Sequence, residues 1–183
     1  KRIDSDSKKD ILIKNLDENN FKLISYSSSG NPRRFLNLLE KVRQQESLSK
    51  SKLTSIIREH SHNELWEYHE KLVQGNIDLR GYAEIGRKFI EGYIIPKLQE
   101  ANKKNRNKKI RAFSVESEVN DDFKKMLKTL EYSGIIDFKQ QMQLREGNLG
   151  NYYTLNLSLC FSENILDIED VGKTNLRLAT SLT

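Results

Sequence analysis

The sequence predicts a mainly α-helical protein with a small β-hairpin near its C-terminal end. Two observations carry this expectation. Apolar residues recur three and four apart through most of the chain up to Leu130, the spacing of one face of a helix. Two β-type runs then follow, Ile135–Leu144 and Tyr152–Cys160. The segment between them, Arg145-Glu146-Gly147-Asn148-Leu149-Gly150-Asn151, has the glycines and asparagines that suit a hairpin loop.

Taken in order, Ile11, Leu12, Ile13 and Leu16 mark a short amphipathic helix. Phe21, Leu23, Ile24 and Tyr26 mark a second that runs into Ser27-Ser28-Ser29. Gly30 is a natural helix stop and Pro32 a natural first helical residue. The helix that follows carries the stripe Phe35, Leu36, Leu38, Leu39 and Val42. Gln44–Ser51 is a polar connection, and Leu53, Ile56 and Ile57 mark the next helix. Ser61-His62-Asn63-Glu64 has capping-box spacing and predicts a fresh helix start before Leu65, Trp66, Leu72 and Val73. A long helical pattern from Asp78 to Ala101 carries Leu79, Tyr82, Ile85, Phe89, Ile90, Tyr93, Ile94 and Leu98. Pro96 is expected to kink or break it. After the basic, polar stretch Asn102–Arg111, residues Val119, Phe123, Leu127 and Leu130 predict a helix that Gly134 ends. The tail beyond Phe161 reads as loosely structured, with Ile165 and Leu166 able to dock. The closing order, helix–strand–loop–strand, has the shape of a winged helix whose hairpin is the wing.

A length of 183 residues fits one ordinary domain or two small ones. Hydrophobic residues make up 36% and charged residues 31%, so a core is possible under a very polar surface. The net charge of +5 favours polyanionic partners, though modestly. The single cysteine, Cys160, excludes a disulfide within the chain and suits a reducing, cytoplasmic setting. No apolar run reaches the roughly 18 residues of a membrane span, and Lys1–Asp10 has no secretory pattern. The chain opens on Lys1 rather than Met and reads as a fragment of a longer protein.

The most informative segment is Ser29-Gly30-Asn31-Pro32-Arg33-Arg34-Phe35-Leu36, a loop feeding a helix N-terminus. Free backbone N–H groups and the helix dipole attract anions there. Two arginines in the same turn oppose the dipole by roughly 0.3–1 kcal/mol each. A bound phosphate would relieve that conflict. The alternative is a surface helix start whose arginines pair with acidic neighbours.

Ser29–Val42 resembles the sensor-2 segment in the lid of AAA+ P-loop ATPases, where a Gly-x-x-Arg turn opens a lid helix. The likeness is closest to initiator ATPases of the origin-recognition kind, which also carry a winged helix after the lid. The resemblance implies a C-terminal region made of a lid-like domain (1–60), a helical connector with a basic linker (61–110), a winged-helix-like domain (111–161) and a tail (162–183). It implies that Arg33, with Arg34 as second choice, reaches a nucleotide's γ-phosphate and couples hydrolysis to lid position. It also implies an upstream ATPase domain of the same protein that holds ATP and Mg. Catalysis needs a G-x4-G-K-S/T loop and a magnesium-holding acidic strand. Gly172-Lys173-Thr174 imitates the end of such a loop, but position 167 is Asp and no apolar strand frames it. This chain is therefore expected to have no complete catalytic site and to bind no cofactor alone.

Positive charge concentrates around Lys97, Lys103, Lys104, Arg106, Lys108, Lys109 and Arg111, against Glu100 alone. Such a run can bind the phosphates of double-stranded DNA; the alternative is a solvated loop. The helix before the hairpin, the usual groove reader of a winged helix, carries Lys124, Lys125 and Lys128 but opens with Asp121 and Asp122. The hairpin adds Lys139 and Arg145, offset by Glu146. Phosphate contacts with weak sequence preference are expected. The competing reading is a winged helix that docks a protein partner. His60, His62 and His69 lack the companions of a tetrahedral metal site and read as surface or partly packed. Cys160 reads as core.

Overall fold

The computed structural model describes residues 16–75, 77–104, 109–144, 147–167 and 179–181. The helix expected at Ile11–Ile13, residues Arg106, Lys108 and Arg145, the His62 side chain, and Gly172-Lys173-Thr174 lie outside the described residues.

Local chemistry sets the first three helices of the described residues. Helix α1 (Glu18–Ser27) starts where the Asp17 carboxylate accepts the Asn20 N–H at 2.7 Å. It ends in a turn whose Ser29 and Gly30 have φ of 50° and 77°, left-handed values that glycine adopts at least cost. Helix α2 (Pro32–Arg43) is capped by Asn31, with Pro32 in the first turn. Helix α3 (Lys50–His60) is capped by the Ser49 hydroxyl, which accepts the Lys52 N–H at 3.2 Å.

The expected fresh start at Ser61 is not made. The chain stays helical, passing through a π turn, Ser61–Trp66, into α4 (Glu67–Gln74). Ser61 has helical φ and ψ, and its hydroxyl donates back to the Ile57 carbonyl at 2.7 Å instead of capping a new helix. The expected division after residue 60 therefore falls inside a continuous helix.

Pro96 does not break the next helix either. Helix α5 (Ile77–Phe89) runs through a second π turn, Ile90–Ile94, into α6 (Ile95–Lys104), whose second residue is Pro96. Proline lacks an N–H and crowds the carbonyl one turn back. The wider π turn, in which the Ile95 N–H bonds the Ile90 carbonyl, accommodates that defect just before the ring.

The C-terminal half adds a small sheet. Strand β1 (Ala112–Glu116), not anticipated from the sequence, precedes α7 (Asp121–Tyr132), β2 (Ile136–Gln143) and β3 (Leu149–Leu155). The sheet order is β2-β3-β1-β4, with β3 antiparallel to both neighbours and β4 (Ala179–Ser181) parallel to β1. Phe138 pairs with Tyr153 and Gln140 with Tyr152, so Lys139 is the extra residue of a bulge. The second predicted strand ends early. Asn156 caps a short helix, α8 (Leu157–Ser162), and Cys160 lies in that helix, fully buried. Beyond Phe161, Ile165 and Leu166 dock into the core as anticipated, and the short strand β4, not anticipated, joins the sheet.

One hydrophobic cluster joins these parts, from Leu23 and Leu38 through Trp66, Ile94 and Phe113 to Leu130, Leu159 and Leu166. Each such side chain contributes about 1.5–3 kcal/mol when fully buried. Helix α8 packs on α1 and α3, and α7 packs on α5. The arginine turn and the sheet are thus fixed to a common core.

Candidate functional site

Arg33 and Arg34 line an open cleft of about 560 Å³ between α2 and the helix that carries Glu64, Glu67, Tyr68 and Lys71. Asn31 and Asn37 complete its α2 side. The backbone amides of the turn are already in use. Asn31 Oδ1 accepts the Arg33 N–H at 3.0 Å and the Arg34 N–H at 3.2 Å, and the Phe35 N–H donates to the Asn31 carbonyl. The free amides expected at this helix start are therefore not what the site offers an anion; its guanidinium groups are.

Acidic residues face the arginines across the cleft. Lys71 Nζ lies 2.6 Å from Glu67. Glu64 Oε1 accepts Asn37 Nδ2–H at 3.0 Å. Arg34 is half-buried, and burial pulls its pKa down while Glu64 and Tyr68 favour its charged form. Arg33 is exposed. The lining holds three cations (Arg33, Arg34, Lys71) against two carboxylates (Glu64, Glu67). Acidic neighbours are therefore present beside the arginines, and a surplus of positive charge remains in the cleft.

Behind Glu64 lies His60, which is buried rather than on the surface. Its Nδ1 is 3.3 Å from Glu64 Oε1, but neither ring nitrogen makes a hydrogen bond. Burial is the main cause that lowers its pKa, with Lys41 and Arg34 adding to it and Glu64 opposing. His69 is buried too, its Nδ1 2.8 Å from Ser133 Oγ and its Nε2 3.2 Å from the Ala83 carbonyl.

The basic residues fall into separate groups. Lys103 and Lys104 are exposed at the end of α6, where Lys104 pairs with Glu100 at 2.7 Å. Lys103 and Lys109 line a smaller cleft of about 270 Å³ with Asn102 and Asn164, and Lys109 Nζ donates to the Asn102 carbonyl. Arg111 turns inward and donates to the Leu155 carbonyl at 2.8 Å, which makes it a brace of the sheet. On α7, Lys124 lies 3.5 Å from Asp121 and Lys125 4.0 Å from Asp122, while Lys128 is exposed. Lys125 also sits over the Tyr82 ring. Lys139 lies 3.6 Å from Asp137.

Asn37, Glu67, Tyr68 and Lys71 were not singled out from the sequence, and Glu64 was read only as the end of a capping box. The four-residue spacing of His60 and Glu64 could have marked a shared helix face had the helix been read as continuous through Ser61; their meeting with α2 depends on the tertiary fold. Among the described residues, no three His, Cys, Asp or Glu side chains converge as a metal site. The Cys160 thiol is pushed up to about 12 by burial, which suppresses the thiolate and its reactivity. No helix among the described residues is long and apolar enough to cross a membrane. The chain matches no protein-family model, no curated protein and no solved structure.

Proposed function

We propose that this chain is the nucleotide-responsive C-terminal part of an AAA+-type ATPase: a lid in which Arg33 and Arg34 meet a phosphate, joined to a winged-helix-like part that contacts DNA. The observation that carries the reading is the arginine cleft, where two guanidinium groups from one helix turn line an open volume with a cationic surplus. Arginine suits this task because its donors match phosphate oxygens in pairs. On this reading the P-loop, ATP and Mg belong to an upstream domain, and the cleft faces that domain's nucleotide. Arg33→Ala in an ATPase containing this segment lowers ATP turnover by about tenfold or more, the scale of losing one charge-assisted contact to a transferring phosphate. Unchanged hydrolysis together with unchanged nucleotide affinity rejects the assignment.

The sheet order β2-β3-β1, with α7 after β1, supports the winged-helix-like reading. One helix stands between β1 and β2, so that segment holds no helix-turn-helix pair. DNA contact on this reading comes from phosphates. Binding of a labelled random duplex, followed by anisotropy across a salt series, tests it. Micromolar affinity that falls steeply with salt is the expected result.

A second reading, docking of a protein partner, is favoured by β2. This strand lies at the sheet edge and is exposed on both faces over most of its length. Phe138 and Leu149 of the hairpin are 43% and 55% exposed. Edge strands of this kind accept an added strand. Absence of DNA binding at low salt selects this reading.

A further inference from the structure

The arginine cleft holds its own anions, and they are placed differently. Glu67 is committed to Lys71 beside it on the same helix. Glu64 projects from the π turn toward α2, where Asn37 Nδ2 fixes its Oε1 at 3.0 Å. Asn37 and Arg34 are three residues apart on α2, so they share a face, and the clamp holds the carboxylate on Arg34's side of the cleft. The Glu64 side chain is 33% exposed, so solvent screens its charge only in part. Its other neighbour, His60, is buried and makes no hydrogen bond to it. Arg34 and Glu64 line the same cleft, and the carboxylate held there by Asn37 favours the guanidinium's charged form against burial.

We propose that Glu64 is a built-in competitor of the phosphate: its carboxylate serves as the counter-anion of Arg34 while the cleft is empty and opposes any anion that approaches the two arginines. The inference rests on the reading of this cleft as a phosphate site and adds a regulating contact to it. A phosphate entering beside Arg34 meets a fixed like charge, so it binds weakly until Glu64 is neutralised or turns away. Arginine supplies the attraction, and Glu64 sets the threshold. The chain's only tryptophan, Trp66, closes the π turn that carries Glu64, so a displacement of Glu64 is read next to an intrinsic fluorophore.

The test is titration of the chain with inorganic tripolyphosphate at low ionic strength, followed by Trp66 fluorescence and by calorimetry. Glu64→Gln keeps an oxygen for Asn37 and removes the charge. It is expected to bind roughly two- to fivefold tighter than the unsubstituted chain, the scale of one partly exposed charge interaction. Glu64→Ala provides a second removal of the charge. Glu59→Gln changes net charge equally but lies outside the cleft, near Lys41, and is expected to leave affinity unchanged. Arg33→Ala/Arg34→Ala is expected to abolish binding. If the arginine variant loses binding while both Glu64 variants bind no tighter than the parent, the competitor role falls and the arginine site stands. An equal gain in Glu59→Gln also overturns the role, because bulk charge then explains it. Binding that survives loss of both arginines, or no binding by any variant, overturns the site and the competitor together.

Discussion

The Ser29 hydroxyl donates to Asn156 Oδ1 at 3.0 Å, tying the turn before the arginine pair to the cap of α8. The same Oδ1 accepts the Ser158 N–H at 2.9 Å, and Asn156 Nδ2 donates to the Gly134 carbonyl at 2.7 Å. Its backbone N–H bonds the Ile135 carbonyl. One side chain thus locks three chain reversals together: the α1–α2 turn, the α7–β2 turn and the β3–α8 junction. Asn156→Ala is expected to cost about 2–4 kcal/mol, from a lost cap of about 1 kcal/mol and about 1–3 kcal/mol for polar groups left unpaired. Ser29→Ala is expected to cost about 0.5–1 kcal/mol, and that cost should vanish in the Asn156→Ala background. Urea unfolding of both single variants and the double variant checks the coupling. A Ser29→Ala cost that persists without Asn156 would show that the two residues act separately.

Two glycines of α5 are expected to respond in opposite directions. A Cβ at Gly81 meets nothing within 4 Å, so Gly81→Ala should stabilise by about 0.5–1 kcal/mol through helix propensity alone. A Cβ at Gly86 would lie 3.1 Å from Leu130 Cγ, and Leu130 is fully buried where α5 crosses α7. There the overpacking cost of about 1–3 kcal/mol outweighs the propensity gain. Thermal melts of the two variants should bracket the parent; a stabilised Gly86→Ala would mean that this helix crossing has slack.

His69 carries a pH dependence whose sign is fixed by its partners. The Ala83 carbonyl can only accept, so Nε2 carries the proton in the neutral ring, which leaves Nδ1 facing Ser133 Oγ as an acceptor that competes with the Thr129 and Leu130 carbonyls for the single hydroxyl hydrogen. Burial is the main cause that holds its pKa below the usual 6.5; Arg87 adds to this, and the Ala83 bond and Glu70 oppose it. The unfolded chain therefore takes up the proton first as pH falls. Stability is lost from about 6.5 downward and levels off once the folded ring is protonated, with a slope for one group of at most about 1.4 kcal/mol per pH unit. His60, also lowered by burial, acts in the same direction. Melting temperatures between pH 7.5 and pH 5.5 should fall more in the parent than in His69→Gln. An equal fall in both assigns the effect elsewhere.

Helix-forming periodicity was legible wherever one face repeats, as in Leu38 and Val42 or Leu127 and Leu130, because that pattern is local. The arginine turn was legible for the same reason: Gly30, Asn31 and Pro32 fix it by backbone preference. Most of the differences arise from tertiary contacts. Ser61 reads as a cap from its local sequence, but in the fold Ser158, 97 residues away, lies against its hydroxyl. Pro96 looked like a stop because a π turn has no sequence signature. Tyr152–Cys160 looked like one strand because both the strand and α8 are buried, and only Asn156 marked the change. Glu64, Tyr68 and Lys71 reach the arginines through helix packing, which no single stretch of sequence encodes.

On the DNA-binding reading proposed above, charge pairing decides which lysines are free to meet phosphate. On α7, Lys124, Lys125 and Lys128 are matched in number by Asp121, Asp122 and Glu131, and two of the lysines already face an aspartate one turn back. Around the end of α6, the sequence sets Lys97, Lys103, Lys104 and Lys109 against one nearby acid in the chain, Glu100, which pairs with Lys104. A phosphate backbone arriving at α7 must displace aspartates that it also repels, whereas at α6 it meets a net surplus. Each lysine that truly contacts a phosphate contributes about 0.9 to the slope of log affinity against log salt. Lys103→Ala/Lys104→Ala/Lys109→Ala should therefore lower random-duplex affinity and reduce that slope by about 2–3. Lys124→Ala/Lys125→Ala/Lys128→Ala should change the slope by less than about 1. Anisotropy titrations at several salt concentrations separate the cases. A larger slope change from the α7 set would move the contact to that helix, with its aspartates turned away. Equal, small changes from both sets would leave the exposed edge of β2 as the surface that meets a partner.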